Sequence, residues 1–485
     1  MKRIHLQRSA MKIKLFIVSL FLIISTLSQS CGLIVVNERE NAQTEAESSE
    51  DTQTQNVTED DKEKPETSED LEKRSQFLLD KIPDISFEKE VITIYTADDT
   101  FFSGDGRQTV LNSDRIARIR KVEEKFDLTF RTVKTAPSAA FDEIAAEYKV
   151  GSAPGHIFAL PSDVTASLIS GGYLKSLRVS PYFDEDAEYF NSCASAFTLG
   201  NDIFAVSGDG CFEPNKLSAL YYNRSDIEKM GLESISELVK NGQWTLDKFY
   251  EYLTSASAYE GTLHCNNTSS EYTETLLISS FSFSENKIDR PVRLLSFDET
   301  FKNVCNGIAK LTEFTPVKNG DFASGDVLFM TDSLAAAEKL ANTEDVWSIA
   351  PYPKCSEESQ YMSFISKDAV VLSIPAVSGS ASELGAVIMG LNAASSGYVI
   401  QKYIDTNMNH FLRDNGAVTA FHIITKNINY DFSYIFSGSY ASINKYTMGA
   451  FNSLIKQDIT HEQYTEKYEK ESGEYLDKHF PAKYY

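Results

Sequence analysis

The chain of 485 residues is long enough for two or three domains, and 42% hydrophobic with 12% aromatic residues is a composition typical of a soluble globular protein. Its 46 basic and 70 acidic side chains give a formal net charge of −24 without any basic stripe, which excludes nucleic acid as a partner. The same charge is compatible with neutral or cationic small ligands.

The first 31 residues have the pattern of an export signal. Basic residues precede an apolar run from Leu15 to Leu27, which is shorter than the roughly 20 residues that a membrane-spanning helix needs. Translation from Met1 or from Met11 leaves this pattern intact. Cys31 follows directly, in a context that resembles a bacterial lipobox. We therefore expect acylation of Cys31 and a lipid anchor on the extracytoplasmic face of the cell membrane, with a plain secretory signal as the alternative.

Residues 32–86 predict an acidic, disordered tether. The segment is rich in acidic residues and in Gln, Thr and Ser, and such a composition buries too little surface to offset the entropy lost on ordering. Beyond Cys31 the chain has five more cysteines, an odd number without a CxxC spacing, which argues against zinc and against complete pairing. Free buried thiols are the favoured interpretation, and Cys193 with Cys211 is the pair to test for a disulfide. We expect no metal and no cofactor.

Strands and helices alternate in the first folded part of the chain. The predicted segments are a strand over 91–95, a helix over 114–126, a strand over 128–133, a helix over 141–150, a strand over 156–160 and a helix over 164–171. Such alternation predicts a mainly parallel sheet with helices on both faces. Ligands of such sheets bind beyond the carboxyl ends of the strands, here at 95–99 and 161–163.

A second unit begins after Pro214. The predicted segments are strands over 217–222, 327–330, 347–350 and 369–374, and helices over 224–230, 334–340 and 382–394, with a helical, Tyr-rich end from Asp431. Gly231 suits the left-handed position after a helix, and Thr245 suits the N-cap of another.

Four short motifs occur in an order that resembles one protein family. They are Leu220-Tyr221-Tyr222-Asn223-Arg224, Trp244-Thr245-Leu246-Asp247, the segment 322–330 with a glycine before a strand ending in Met330, and Pro351-Tyr352-Pro353-Lys354. Over residues 88–485 the chain resembles the family 1 extracellular solute-binding proteins of bacterial ABC importers, the maltose-binding type.

The resemblance implies an α/β fold of the type II periplasmic-binding-protein class. In this fold two lobes, each a mainly parallel sheet flanked by helices, close around a ligand by a hinge, and the closed monomer docks on membrane permease subunits. The expected boundaries are 87–212 for the first part of lobe 1, 213–365 for the first part of lobe 2, 366–425 for the return to lobe 1, and 426–485 for C-terminal helices on lobe 2.

We expect ligand contacts from residues at strand ends, because sugars need flat aromatic faces and planar groups that pair with hydroxyls. The predicted ligand-binding residues are Tyr95, Asp98, Asp99, Ser162, Asp163, Asp209, Asp332 and Trp347. Each carboxylate has the alternative role of a turn or helix cap, and Trp347 the alternative of a core residue.

No residue set points to catalysis. Two SxxK matches lack their companion motifs, and no dinucleotide fingerprint or P-loop is complete. The sequence therefore predicts a non-enzymatic protein that binds a carbohydrate, in particular an oligosaccharide, and delivers it to a permease. The alternatives are a polyamine or other small solute as the ligand, and a surface sensor or adhesin with the same fold. A secreted hydrolase ranks third.

Overall fold

The computed structural model describes residues 67–98, 102, 110–191, 193–259, 264–266, 272–285, 292–314, 322–343, 346–408 and 415–480. The elements before the first crossing between sheets are α1 (Ser68–Asp80), β1 (Glu90–Thr96), α2 (Val110–Phe126), β2 (Leu128–Lys134), α3 (Pro137–Tyr148), β3 (Ile157–Pro161), α4 (Ser162–Ser170), β4 (Leu174–Lys175), α5 (Cys193–Ala196), β5 (Thr198–Leu199), β6 (Asp202–Ile203) and β7 (Ala205–Val206).

The middle of the chain supplies the second sheet and its helices. Its elements are β8 (Ser218–Asn223), α6 (Arg224–Lys229), α7 (Ile235–Lys240), α8 (Leu246–Ala258), β9 (His264–Asn266), α9 (Tyr272–Ile278), β10 (Ser284–Glu285), β11 (Arg293–Leu294), α10 (Glu299–Leu311), β12 (Val327–Ser333), α11 (Ala336–Leu340), β13 (Trp347–Ala350) and β14 (Ser363–Phe364).

The last part returns to the first sheet and then ends on the second. Its elements are β15 (Val370–Pro375), α12 (Ala381–Ala393), α13 (Tyr398–Tyr403), α14 (Asn415–Lys426), β16 (Ile428–Asn429), α15 (Phe432–Ile435), α16 (Met448–Ile455) and α17 (His461–His479), with a π-helical turn at Ile404–Met408 after α13.

The first sheet has the strand order β2-β1-β3-β15-β4, with β7 also paired to β15. The strands β1, β2 and β3 are parallel, and β15 is inserted antiparallel beside β3. Alternate side chains of β1 point to opposite faces. Ile92 and Ile94 join the core under α2 and α12, whereas Tyr95 joins the core under α3 and α4. This strand order confirms an α/β lobe with helices on both faces.

The second sheet has the order β13-β8-β12-β9 and differs from the expectation of a mainly parallel sheet. The strand β8 is antiparallel to both β12 and β13, and only the pair of β12 with β9 is parallel. The core behind it is aromatic: Trp244 is fully buried and donates its indole N–H to the carbonyl of Pro351 at 3.2 Å. As expected, Thr245 caps α8, its side chain accepting from the backbone N–H of Lys248.

The predicted tether is wrong at its C-terminal end, because α1 is a folded helix. A capping box between Thr67 and Asp70 starts it, and Leu71, Leu78 and Leu79 are buried against the first lobe, where α1 packs on α12. The leucines recur at helical spacing, so they form one apolar stripe. The acidic average composition of the segment hides this stripe.

We expect Leu79→Ala to lower the free energy of unfolding by about 2 kcal/mol, since Leu79 is 2% exposed in a closed core. The neighbouring Phe77 is 61% exposed, so Phe77→Ala is the matched control and should change it by less than about 0.5 kcal/mol. Urea unfolding of both variants measures the difference. Equal, small effects would show that α1 does not belong to the folded lobe.

In the described part of the chain, three segments cross between the sheets: from β7 to β8, from β14 to β15, and from α12 to α14. The position of the third crossing corrects the expected lobe boundaries. Residues 366–425 were assigned to the first lobe, but α14 packs on β13 and α7 of the second. The crossing lies at α13 and the π-helical turn, where Tyr403 donates to the carbonyl of Leu334 at 3.1 Å.

Candidate ligand-binding region at the hinge

Two of the crossing segments pair with each other and form a hinge. The segments 213–217 and 365–369 are joined by an antiparallel bridge between Leu217 and Ile365 and by a hydrogen bond from the Ser366 N–H to the carbonyl of Lys216 at 3.0 Å. The Lys216 ammonium lies 2.5 Å from the Asp368 carboxylate. We call these two segments the hinge strands, although 214–216 form a 3-10 turn, 367–368 form a turn, and a single bridge joins the two segments. Their pairing restricts how the lobes can move, because any rotation must twist the two strands together.

The carboxyl end of β3 holds the hinge strands against the first sheet. The Ser162 N–H donates to the carbonyl of Ala369 at 3.0 Å, and the Ser162 hydroxyl donates to the carbonyl of Lys367 at 2.7 Å. The Asp163 N–H donates to the same Lys367 carbonyl at 3.2 Å. Ser162 is fully buried. Ser162 therefore anchors the second hinge strand to the first sheet.

Charged side chains flank the hinge strands where the strands of the first sheet end. Asp98 follows β1 and Asp163 follows β3, so two of the predicted ligand-binding residues lie at the same edge of the sheet. Burial raises the pKa of Asp163. Burial also raises the pKa of Glu213, whose carboxylate accepts the Val370 N–H at 3.1 Å, to about 7.

The raised pKa of Glu213 predicts a pH-dependent stability. Between the ordinary pKa of a glutamate and about 7, the folded state keeps a proton that the unfolded state has lost, so the free energy of unfolding falls as the pH rises through this range. Glu213→Gln keeps an acceptor for Val370 and removes the titration. We expect this variant to be more stable than the parent at pH 8, by an amount on the order of 2 kcal/mol.

Urea unfolding at pH 5 and pH 8 measures this effect, and at pH 5 the variant and the parent should be alike. The control is Glu466→Gln on α17, where the glutamate is exposed and no pH-dependent difference is expected. A Glu213→Gln variant that is less stable than the parent at pH 8 would contradict the buried, protonated state of Glu213.

A polar cavity of about 150 Å³ lies beside the hinge on the side of α2. We call it the α2-side cavity. Its polar lining side chains come from the segment after β1, from α2, from the first hinge strand and from the third crossing: Asp98, Arg115, Arg118, Glu213, Asn215, Tyr403 and Thr406. The first lobe and two of the crossing segments thus meet around one polar space.

On the side of α4 the lobes are in contact. The hydroxyls of Ser167 in α4 and Ser439 beyond α15 are 3.1 Å apart, and the ring of Phe197 packs on Phe436 with centroids 6.2 Å apart. The residues between these contacts form one apolar cluster that includes side chains of both lobes. The structure therefore shows the lobes closed on this side.

A small crevice remains within the closed contact, with a volume of about 50 Å³. We call it the α4-side crevice. Its polar lining residues are Ser195, Ser282, Ser284, Asn429 and Tyr430. The Asn191 amide donates to the Tyr430 hydroxyl at 3.4 Å across the lobes, and the Lys367 ammonium lies 5.7 Å from the ring centroid of Tyr434. Hydroxyls, an amide and aromatic rings are the groups that suit a sugar.

Neither space at the hinge reaches the roughly 300–1,000 Å³ of a small-molecule site. A larger cavity, of about 440 Å³, lies between the β10–β11 hairpin and α17, entirely in the second lobe. Closure of two lobes does not enclose such a cavity. We therefore place the candidate site at the hinge, where a ligand larger than these two spaces requires the α4 side to open.

Two other predicted ligand-binding residues, Tyr95 and Trp347, lie away from the hinge strands. Tyr95 is buried against Phe158, with its hydroxyl bonded to Glu143. Trp347 is 7% exposed, and its indole N–H donates to the carbonyl of Leu340 at 3.1 Å.

Asp332 is exposed at the end of β12 and accepts the neighbouring Ser333 N–H at 2.6 Å. Its strand partner is Ala219 of β8, close to the point where the first hinge strand enters the second lobe. Asp332 therefore remains open to a ligand from the side of the second lobe.

Asp209 lies where the chain leaves β7 for the first crossing, and its carboxylate accepts the Gly397 N–H at 2.6 Å. Burial raises its pKa to about 6. Asp209 thereby joins the first crossing segment to the third. Asp99 and Cys31 lie outside the described residues.

No sequence pattern marks the charged residues of the hinge strands or the tyrosines of the α4 side. Glu213, Lys216 and Asp368 lie in short segments between predicted elements, where no periodicity marks them. Tyr430 and Tyr434 lie in the Tyr-rich C-terminal part, and nothing local distinguishes them from core tyrosines. The pairing of distant segments at the hinge is what gives these residues their positions.

Cys211 is a free, buried thiol, so it is not part of the disulfide that the sequence left to be tested. Burial raises its pKa to about 12. The side chain of Cys193 lies outside the described residues. In the part of the chain that the structure describes, no helix combines the length and apolar character that crossing a membrane requires.

Comparisons with known proteins bear on the fold. No family model matches the chain, and no curated protein matches it. Among solved structures, the galacto-N-biose-/lacto-N-biose I-binding protein of the ABC transporter from Bifidobacterium longum matches with a TM-score of 0.52 at 12% identity, covering 81% of this chain and 98% of that chain. A family 1 extracellular solute-binding protein from Bifidobacterium longum subsp. infantis matches with a TM-score of 0.50 at 14% identity, covering 81% and 99%. The two-lobed fold that the motifs implied is thereby confirmed.

Proposed function

We propose that this protein is the solute-binding component of an ABC importer, a non-enzymatic protein that captures a carbohydrate between its lobes and delivers it to a permease. The observation that carries the proposal is the pair of hydrogen-bonded hinge strands joining two α/β lobes. Polar and aromatic groups of both lobes meet beside these strands. Of the two matched structures, one is a family 1 extracellular solute-binding protein and the other is an ABC-transporter binding protein in complex with lacto-N-biose.

The proposed capture begins in an open state in which α4 and the segment after α15 are apart. Asp163, Lys367 and Asp368 on the first-lobe side and Ser282, Asn429 and Tyr430 on the second-lobe side would then face solvent. A sugar that contacts both sets gains its full binding energy only when the lobes close, so binding shifts the population toward the closed state. The permease would recognise that closed state.

The proposed ligand is neutral because the charges at the hinge are nearly balanced. Asp98, Asp163 and Asp368 face Lys216 and Lys367. Burial raises the pKa of Glu213 to about 7, so this carboxyl group is protonated at pH values below about 7. Paired carboxylates and ammonium groups suit hydroxyls, which both donate and accept. A cationic polyamine is disfavoured because the Lys216 and Lys367 ammonium groups at the hinge would repel it.

A thermal-shift screen of the protein with oligosaccharides, peptides and polyamines tests the proposal. A ligand stabilises the folded state by RT ln(1 + [L]/Kd), about 2.7 kcal/mol at a hundredfold excess over Kd. We expect a saturable rise of Tm with oligosaccharides. A rise with polyamines alone would replace the sugar by a cation, and no rise with any solute would favour a sensor or adhesin.

Anchoring by Cys31 is a separate part of the proposal, supported by the apolar run and the cysteine that follows it. Labelling bacteria that express the full chain with a fatty-acid analogue should mark the parent and leave the Cys31→Ala variant unlabelled. In cell fractionation, the variant should stay in the membrane if its signal is not cleaved and should appear in the medium if its signal is cleaved. A labelled Cys31→Ala variant would refute this anchor and leave the binding proposal untouched.

A further inference from the structure

Arg118 carries a charge in a place where the fold leaves it without a hydrogen-bonded partner. It lies on α2 and is 6% exposed. Its Nε and Nη1 atoms make no hydrogen bond to any described residue, although the guanidinium lies 4.9 Å from the ring centroid of Tyr398. A buried charge whose donors lack hydrogen bonds is unfavourable in general. Such a cost is consistent with a group that a ligand completes.

Asp114 and Asp209 attract the charge of Arg118, but neither accepts a hydrogen bond from its Nε or Nη1. Asp114 lies 3.2 Å from the Lys402 ammonium, and Asp209 accepts the backbone N–H of Gly397 at 2.6 Å. Glu213 accepts the N–H of Val370. Burial lowers the pKa of Arg118 only to about 10, so the guanidinium remains charged at neutral pH.

Arg118 lies beside two neighbouring empty spaces. Arg118 borders the α2-side cavity of about 150 Å³ and also an adjoining cavity of about 10 Å³ beside Asp209 and Ser395. The smaller space has room for about one water molecule. The larger one accommodates a small polyatomic group, with Arg115, Asn215 and Tyr403 also on its wall.

We propose that the α2-side cavity binds a small oxyanion, a phosphate or carboxylate group, through Arg118. Arginine suits such ligands because its planar guanidinium donates to two oxygens at fixed geometry. Arg115 adds a second positive charge and Asn215 an amide group to the wall, which also carries the carboxyl groups of Asp98 and Glu213.

The site lies where the first lobe meets two of the crossing segments. Its walls come from α2 of the first lobe, from Phe212–Asn215 of the first crossing and from Val399–Thr406 of the third. An anion held there connects the first lobe to two crossing segments. The site is separate from the α4-side crevice and does not depend on the identity of the transported solute.

Titration of the full protein with inorganic phosphate, sulfate and succinate at constant ionic strength, read by thermal shift and calorimetry, tests the site, with sodium chloride as the salt control. We expect saturable binding of at least one of the three anions to the parent. Binding of phosphate or sulfate but not of succinate identifies the ligand as an inorganic oxyanion. Binding of succinate alone identifies it as a carboxylate.

The matched variants are Arg118→Gln and Arg120→Gln, since Arg120 lies on the same helix and is exposed. Arg120→Gln should bind as the parent does, whereas Arg118→Gln should lose binding. Arg118→Lys keeps the charge without the planar group and should raise Kd about tenfold, which keeps the test decisive if Arg118→Gln folds poorly. Unchanged binding in both Arg118 variants, or no saturable binding by the parent, overturns the proposal.

Discussion

Replacing Trp347 by alanine is expected to lower the free energy of unfolding by about 4 kcal/mol without changing the ligand affinity of the folded protein. Trp347 is 7% exposed, its ring lies 5.7 Å from that of Tyr221, and its indole N–H is bonded to the carbonyl of Leu340. Removal of a buried tryptophan leaves a cavity, for which losses of about 3–5 kcal/mol are usual. Urea unfolding and calorimetry measure the two quantities.

The control is Trp347→Phe, which fills most of the space and loses only the indole hydrogen bond. We expect a loss of about 1–2 kcal/mol for this variant. A Trp347→Ala variant of normal stability that no longer binds sugar would instead assign Trp347 to the ligand platform that its sequence position suggested.

Replacing Asp431 by alanine has the second large expected effect, a loss of about 3 kcal/mol. The Asp431 carboxylate is buried and accepts the backbone N–H groups of Phe283 at 2.7 Å and Tyr434 at 3.0 Å, together with the Ser433 hydroxyl at 2.5 Å. Without it, buried N–H groups lose their acceptor, at about 1–3 kcal/mol each. Relief from burying a carboxylate offsets part of this loss.

Asp431 also positions the α4-side crevice. It ties the segment of Ser282 to the turn that carries Tyr430 and Tyr434. We therefore expect Asp431→Ala to weaken solute binding as well, and Asp431→Asn, which keeps one acceptor oxygen, to show smaller losses of both kinds. Asp458→Ala, at an exposed position, is the control for stability. Full stability of Asp431→Ala would contradict the network.

The first lobe was predictable from the sequence because its signals are local. Each element has its own local pattern: a β-branched run for β1, an apolar stripe for α2 and a buried apolar run for β3. The alternation of strands and helices then predicts the parallel order of these strands. The second lobe was less predictable. Whether β8 pairs parallel or antiparallel depends on how α6 to α10 return the chain to β12, and no local pattern specifies this.

The site was predictable only where it follows directly from a strand end. Asp98 and Asp163 lie at the hinge because parallel strands end at one edge of the sheet. Tyr95 also ends a strand, but the alternation of β1 turns its side chain under α3 and α4. The hinge strands, Arg118 and the closure of α4 on the segment after α15 depend on residues that are far apart in sequence.

A reversible lock across the α4 side tests the central claim, that the lobes open and close at the hinge. Ser167 and Ser439 approach to 3.1 Å, which places cysteines within reach of a disulfide. We expect the Ser167→Cys, Ser439→Cys protein without solute to have a larger radius of gyration in small-angle X-ray scattering when reduced than when oxidised, and solute to remove the difference. The same radius for the oxidised and reduced protein, with or without solutes, would show that the lobes form one rigid body and would contradict the account.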